Sequence, residues 1–349
     1  MENDPQFSFN PHPENNEPNF EQLSSIAPSI YPPKPELENK KGNVWVRSIT
    51  SLALYLLIGY YFFSANWTLL LILTGIVIFH ELGHFLAMKL FHYKELGIFF
   101  IPLLGAYASG TKREISQRQS AIILLAGPLP GIIVGVILFF LSKSQFADLH
   151  YRPDILGSTA SLLIFLNVLN LLPVYPLDGG QLLNRLFLDD SHIVGKTFVI
   201  LSALALGFFA IKLGAENSYL YVLLVFPLSM LFRLQADTKL DAMTRKVEKD
   251  GINLEKTYDE LSDEDYWKIR NILIQNNYSS LRNIHPAPPY EYSSNEDRVV
   301  TVIENLLQRT IIQDLSWWGK IIIILIWMGS FAAPFLLSLD LPFAHYQAR

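Results

Sequence analysis

His80, Glu81 and His84 stand in the order H-E-x-x-H. On a helix, residues four apart lie on one face, one turn above the other. The spacing lets His80 and His84 turn imidazole nitrogens toward one metal ion, and the Glu81 carboxylate can flank that ion without taking a coordination place. In soluble metalloproteases this pattern binds zinc and the glutamate is the general base. Two histidines do not complete a catalytic zinc site, because three protein ligands and a water are expected. The chain has no cysteine, which leaves His, Asp and Glu as ligand types and excludes disulfides. Asp178 is the best-placed third ligand. Pro173 and Pro176 before it stop a helix, and Gly179-Gly180 after it free the backbone. The alternative is that Asp178 only caps the next helix. Its company with H-E-x-x-H favours the metal role.

The element that must carry the motif is the apolar stretch Trp67 to Phe91, long enough to cross a bilayer as one helix. A carboxylate at the centre of such a helix costs roughly 2.5–3.5 kcal/mol, and each Leu, Ile, Phe or Val returns about 0.3–0.6 kcal/mol. Leu69 to Leu73 and Ile76 to Phe79 supply enough to insert it. The acid is tolerated, so its presence needs a functional reason. Packing glue between helices is the bland alternative.

Composition agrees with a membrane setting. Half of the 349 residues are hydrophobic and 17% are charged, against about 25% charged in average soluble usage. Mean hydropathy is +0.26, and the apolar residues fall in blocks. A net charge of −5 offers no basic surface for nucleic acid, and no nucleic-acid partner is expected. The reading is an all-α polytopic membrane protein of about seven transmembrane helices, with a small membrane-associated β-hairpin and a helical cytoplasmic subdomain.

In chain order, residues 1–41 are polar and proline-rich, without a secretory signal. They bury too little apolar area to offset their ordering entropy and are read as a disordered cytoplasmic tail. A docking motif for a partner is the alternative reading of these prolines. A six-span core follows over 42–234. Its spans are expected at Val44–Ser64, Trp67–Phe91, Ala121–Leu141, Ile155–Leu172, Ile193–Leu213 and Tyr219–Phe232. Between the second and third, the region 95–111 mixes Phe99, Phe100, Ile101 and Tyr107 with turn residues, which favours a β-hairpin whose edge could pair with an extended peptide. An interfacial loop anchored by its aromatics is the alternative. The third span carries Gly127-Pro128-Leu129-Pro130-Gly131, where broken backbone pairing must be restored by neighbours or water. A short helix is expected from Gln181 to Leu188. Residues 235–316 form the helical subdomain, with Ser262 and Ser294 as N-caps ahead of acidic first turns. A last span, Trp317 to Leu339, lies within 317–349. Only Lys143, Arg152, Lys212 and Arg349 of the basic residues fall on the far side in this layout, which puts the N-terminus in the cytoplasm. His92 and His192 are read as interfacial residues.

His80-Glu81-Leu82-Gly83-His84, together with Asn170-Leu171-Leu172-Pro173-Val174-Tyr175-Pro176-Leu177-Asp178-Gly179-Gly180, resembles the site-2 protease family of intramembrane zinc metalloproteases. The resemblance covers about Thr68 to Phe187. It implies one zinc ion per chain held by His80, His84 and Asp178, with Glu81 as catalytic base. It also implies that the β segment at Leu96 to Gly110 engages substrate. Many members carry Asn near where Gly131 stands, and this chain departs there. A PDZ domain is not read between the motifs.

The expected function is therefore an intramembrane zinc metalloprotease of the cell (plasma or inner) membrane, multi-pass in the lipid bilayer. It would cleave within or near transmembrane segments of membrane-protein substrates in regulated intramembrane proteolysis. A helical substrate must unwind, and the strand bearing Phe99, Phe100 and Ile101 could hold it extended. Asn170 could bind the substrate backbone or the oxyanion, although an Asn in a span is often interhelical glue. Rival readings are a catalytically silent membrane scaffold, a zinc transporter, and a metalloprotease of another family with a glutamate as third ligand. Against transport, no second half repeats the H-E-x-x-H pattern.

Overall fold

The structure is a computed structural model. It describes residues 31–36, 43–62, 66–102, 105–112, 115–143, 153–188, 192–254, 256–276, 281, 283–287, 290–307 and 311–337. Helix α1 (Val44–Phe62) and helix α2 (Trp67–Leu90) come first. Asn66 caps α2, its side chain accepting the Leu69 N–H at 3.0 Å, and Lys89 sits in the last turn where the helix dipole favours a cation.

Strands β1 (Lys94–Ile101) and β2 (Gly105–Thr111) then form the expected hairpin. They pair antiparallel with Phe99 opposite Tyr107, Phe100 opposite Ala106 and Ile101 opposite Gly105. Gly105 adopts φ +110°, a conformation open to glycine and strained for other residues. The two edges of this ribbon have different neighbours. On the β1 side, the Phe100 N–H donates to Ser51 Oγ of α1 at 3.1 Å, and Phe100 packs with Tyr55 and Leu70. Helix α2 thus touches β1 through Leu70 and also meets the β2 edge, where Glu81 Oε2 accepts the Ala108 N–H.

A two-residue strand, β3 (Ile115–Ser116), leads into α3 (Gln117–Ala126) and α4 (Pro128–Ser142), which meet at Gly127. Together α3 and α4 are long and apolar enough for one crossing. Pro128 breaks the ladder, as expected of a proline without an N–H. Helix α5 (Pro153–Asn170) ends in the turn that contains Pro173 and Pro176. Helix α6 (Asp178–Leu183) begins three residues earlier than expected and passes into a π-helical turn at Asn184–Leu188. The early start is permitted by close packing. A Cβ on Gly179 would lie 1.9 Å from the Leu171 carbonyl oxygen, and one on Gly180 would lie 2.3 Å from the Val174 carbonyl carbon.

Helix α7 (His192–Glu216) is the next long apolar element. A 3-10 turn, Ser218–Leu224, opens α8 (Val225–Lys249). Here the structure departs from the sequence reading. The helix does not stop near Phe232 but continues to Lys249, and its far end buries Met243 and Val247 in the core of the polar region. Apolar residues at helical spacing beyond Arg233 extend it, since packing outweighs the change to polar composition.

The polar region holds α9 (Asp263–Gln275) and α10 (Glu296–Leu307) around a core that includes Trp267, Ile269, Leu273, Val299 and Ile303. Ser262 caps α9, its Oγ accepting the Asp265 N–H at 3.1 Å. At α10 the capping contacts belong to Ser293 and not to the expected Ser294. The Ser293 N–H donates to Glu296 Oε2 at 2.9 Å, and its Oγ accepts the Asn295 N–H at 3.2 Å.

Strand β4 (Ile311–Ile312) pairs in parallel with β3. It leads to α11 (Trp317–Ser330) and the short α12 (Ala332–Leu336). Trp327 of α11 donates its indole N–H to the Leu171 carbonyl at 2.8 Å, which fastens the last long helix to the turn preceding Asp178.

The fold is thus mostly helical with a small two-stranded ribbon. Six stretches among the described residues are long and apolar enough to cross a membrane, and a seventh, Ile155–Asn170, is apolar but shorter. Of the tail expected to be disordered, only a short segment is described. Residues 1–30 and 37–42 lie outside the described residues, but Tyr31–Glu36 lie against the helical subdomain. Ordered contacts there replace the solvation expected from composition.

Candidate metal centre

Helix α2 presents His80, Glu81 and His84 inward, each less than a tenth exposed. Three atoms converge. His80 Nε2 and His84 Nε2 lie 3.1 Å apart, and Asp178 Oδ2 lies 3.1 Å from the first and 3.3 Å from the second. Asp178 belongs to the first turn of α6, and its Oδ2 is buried without a hydrogen-bond partner. The capping alternative finds no support in this atom, which is aimed at the two rings.

The other ring nitrogens are both engaged. His80 Nδ1 lies 2.8 Å from Asn167 Oδ1, and His84 Nδ1 lies 2.8 Å from the Ile123 carbonyl oxygen. The Asn167 amide nitrogen donates to the Leu163 carbonyl at 2.7 Å, so its oxygen is the atom turned to His80. Both imidazoles therefore donate from Nδ1, which leaves each Nε2 facing Asp178 Oδ2. With both Nε2 atoms deprotonated, the three atoms offer two lone pairs and a carboxylate oxygen to one cation.

Zinc fits this donor set. With bonds of about 2.0–2.1 Å and tetrahedral angles, ligand atoms stand roughly 3.3 Å apart, close to the three separations observed. The outer hydrogen bonds on Nδ1 are those that metal-bound histidines ordinarily make.

Two glycines make room for the cluster. A Cβ on Gly127, at the junction of α3 and α4, would fall 2.3 Å from His84 Nε2. A Cβ on Gly131 would fall 2.3 Å from the Asn167 amide nitrogen. The absence of a side chain at Gly131, noted as a departure from the family pattern, leaves the volume that the Asn167 carboxamide fills. Gly83 likewise lets α2 approach α3, since its Cβ would lie 2.0 Å from the Ala126 carbonyl oxygen.

Glu81 faces β2. Its Oε2 accepts the Ala108 N–H at 2.7 Å. That N–H points away from β1, so the outer edge of β2 runs beside the motif. The residues picked from the sequence for substrate contact lie elsewhere. Phe99 and Phe100 are on β1 beside α1, and Ile101 is exposed at its end. Asn170 is half-buried at the end of α5, one turn beyond Asn167. His92 is exposed in the turn after α2. The side chain of His192 is outside the described residues. The sequence does not single out Asn167 as a site residue; a carboxamide within an apolar span is the one available signal, and Asn170 shares it.

Residues 68–151 match peptidase family M50. Over 152 residues the chain is 33% identical to Zinc metalloprotease MJ0392 of Methanocaldococcus jannaschii, covering 40% of this chain and 43% of that protein. Over 122 residues it is 31% identical to Stage IV sporulation protein FB of Bacillus subtilis, covering 34% of this chain and 40% of that protein. The chain thus spans about two fifths of the length of these curated relatives. Among solved structures, Site-2 Protease from Methanocaldococcus jannaschii aligns at 22% identity with a TM-score of 0.38, covering 55% of this chain and 87% of that chain.

Proposed function

We propose that this chain, whose residues 68–151 match peptidase family M50, is an intramembrane zinc metalloprotease of the site-2 protease kind. Its substrates are membrane proteins, cut within or near their transmembrane segments, and its N-terminus is cytoplasmic. The convergence of His80 Nε2, His84 Nε2 and Asp178 Oδ2 carries this reading.

A zinc ion held there would supply Lewis acidity, polarising a peptide carbonyl and acidifying a bound water. The chain's own residues do the rest. Asn167 and the Ile123 carbonyl hold the two rings in one tautomer and orientation. Glu81 is the proton carrier. Its Oε2 is taken by the Ala108 N–H, so Oε1 receives the proton of the attacking water and passes it to the leaving nitrogen. The hydrogen bond fixes the carboxylate against β2, and the edge of that strand can hold an unwound substrate extended beside it.

The test is a pair of variants in the full chain. Glu81→Gln keeps zinc and abolishes cleavage of a single-span membrane protein, whereas Asp178→Ala loses zinc. Retained peptidase activity in the first, or unchanged metal content in the second, would remove the assigned role.

A further inference from the structure

The segment Tyr31–Glu36 reads Tyr-Pro-Pro-Lys-Pro-Glu. Proline fixes φ and lacks an N–H, and a residue before proline is pushed toward extended backbone. The segment is therefore preset toward polyproline II, whose carbonyls have no internal partner. Each of its three prolyl carbonyls meets a side-chain donor from the helical subdomain. The Trp267 indole N–H donates to Pro32 O at 2.8 Å, the Tyr292 hydroxyl donates to Pro33 O, and the Tyr258 hydroxyl donates to Pro35 O at 2.8 Å. The backbone N–H of Lys34, flanked by residues that have none, donates to Asp263 Oδ1 at 2.7 Å.

Lys34 itself is read closely. Its ammonium donates to the carbonyls of Tyr258 and Leu261, both at 2.5 Å, and of Asp259 at 2.9 Å. It also stands 5.2 Å from the centre of the Tyr258 ring. Beneath the segment the rings form a platform. Trp267 stacks on Tyr292 with centroids 5.7 Å apart, and its neighbour Tyr290 meets Tyr31 edge-on at 5.1 Å.

We propose that this aromatic face of the subdomain is a binding site for proline-rich peptide, with the chain's own Tyr31–Glu36 as its resident ligand. Ordinary core packing would bury aliphatic side chains. Here the polar tips of three aromatic residues each take one prolyl carbonyl, which is the general way aromatic grooves recognise polyproline II. The ammonium cage adds selectivity for lysine between prolines. The site thereby ties the chain ahead of α1 to the subdomain that follows α8.

The experiment uses full-length protein in detergent and a fluorescent peptide, Ser-Ile-Tyr-Pro-Pro-Lys-Pro-Glu-Leu, read by anisotropy. In a chain with Pro32, Pro33 and Pro35 changed to Ser and Lys34→Glu, the site is empty and the peptide binds. Wild-type protein binds it at least tenfold more weakly, because its own segment competes. Adding Trp267→Phe to the emptied chain weakens binding severalfold, as expected for one lost hydrogen bond, and a peptide with Lys34→Glu loses at least tenfold. A folded, emptied chain that ignores the peptide overturns the proposal, as does equal binding of a scrambled peptide. Should the multiple variant not fold, Lys34→Glu alone must bind the peptide more tightly than wild type; equal weak binding overturns it. Light scattering that finds a dimer dependent on these residues would reassign the ligand to a second copy and overturn occupancy within one chain.

Discussion

The carboxamide oxygen of Asn167 on α5 lies 2.8 Å from Nδ1 of His80 on α2. This contact joins two helices and sets which nitrogen of His80 is free. Outer partners of this kind typically contribute about 10–100-fold to metal affinity. Asn167→Leu, similar in volume, should weaken zinc binding by about that factor. Competition with a chromophoric chelator measures it, and an unchanged affinity would leave Asn167 a packing residue.

Gly131 and Asn167 share one volume. Gly131→Asn should lower zinc affinity because the new side chain collides with the Asn167 carboxamide. Pairing it with Asn167→Gly moves the carboxamide from one helix to the other. The double variant should recover part of the loss, giving a coupling of about 0.5–3 kcal/mol for residues in contact. Strictly additive effects would show that the two positions do not compete for the same space.

Gly127→Ala places a methyl group 2.3 Å from His84 Nε2. Overpacking of this kind costs about 1–3 kcal/mol, and here the displaced group is a proposed zinc ligand. Zinc per chain, measured by metal analysis, should fall more than thermal stability does. Full zinc content with native peptidase activity would mean that α3 and α4 shift readily.

The polar subdomain should be acid-sensitive through Glu296. Burial pushes this carboxyl up, but Arg270, the Ser293 N–H and the Tyr266 hydroxyl outweigh burial and hold it below the usual value of 4.5. A carboxylate depressed in the folded state stabilises fully above its unfolded pKa, and the contribution fades as pH falls through the folded value. Protection of the α9 and α10 amides, relative to their intrinsic exchange rates, should therefore hold from pH 7 down to about 4.5 and decline below it. Glu296→Gln should remove that dependence. It also leaves the buried Arg270 guanidinium, 2.7 Å from Glu296 Oε1 in the native pair, without its counter-charge, a loss of about 3–5 kcal/mol. Identical acid profiles for the variant and the native chain would place the sensitivity elsewhere.

Ala108→Pro deletes the N–H that engages Glu81 Oε2. Because this N–H points away from the ladder, β1 and β2 can remain paired. Peptidase turnover should fall about tenfold or more while zinc content holds, since a hydrogen bond to a charged group contributes about 1.5–3 kcal/mol. Turnover that is unaffected would free Glu81 from dependence on β2.

What could be read without coordinates was local. H-E-x-x-H on an apolar stretch places two rings on one helix face because helical periodicity is a property of the chain itself. Pro173, Pro176 and Gly179-Gly180 mark a break with Asp178 at its edge because those residues constrain their own backbone. The hairpin at 95–111 follows from aromatic residues between turns. The choice between Asn167 and Asn170 was different in kind. Both lie on the same helix, one turn apart, and their own sequence neighbourhood does not rank them. Only the approach of α2 and the vacancy over Gly131 put Asn167 against His80. In the same way, packing under α1 consigned Phe99 and Phe100 to the far side of the ribbon and gave the Glu81 side to β2. Composition alone made Tyr31–Glu36 a solvated tail, because it counts prolines but carries no information about a distant platform of Trp267, Tyr258 and Tyr292. The amino-acid sequence thus determined which groups could do chemistry and the local backbone that presents them. Tertiary structure decided which of them meet, since that depends on contacts between segments far apart in the chain.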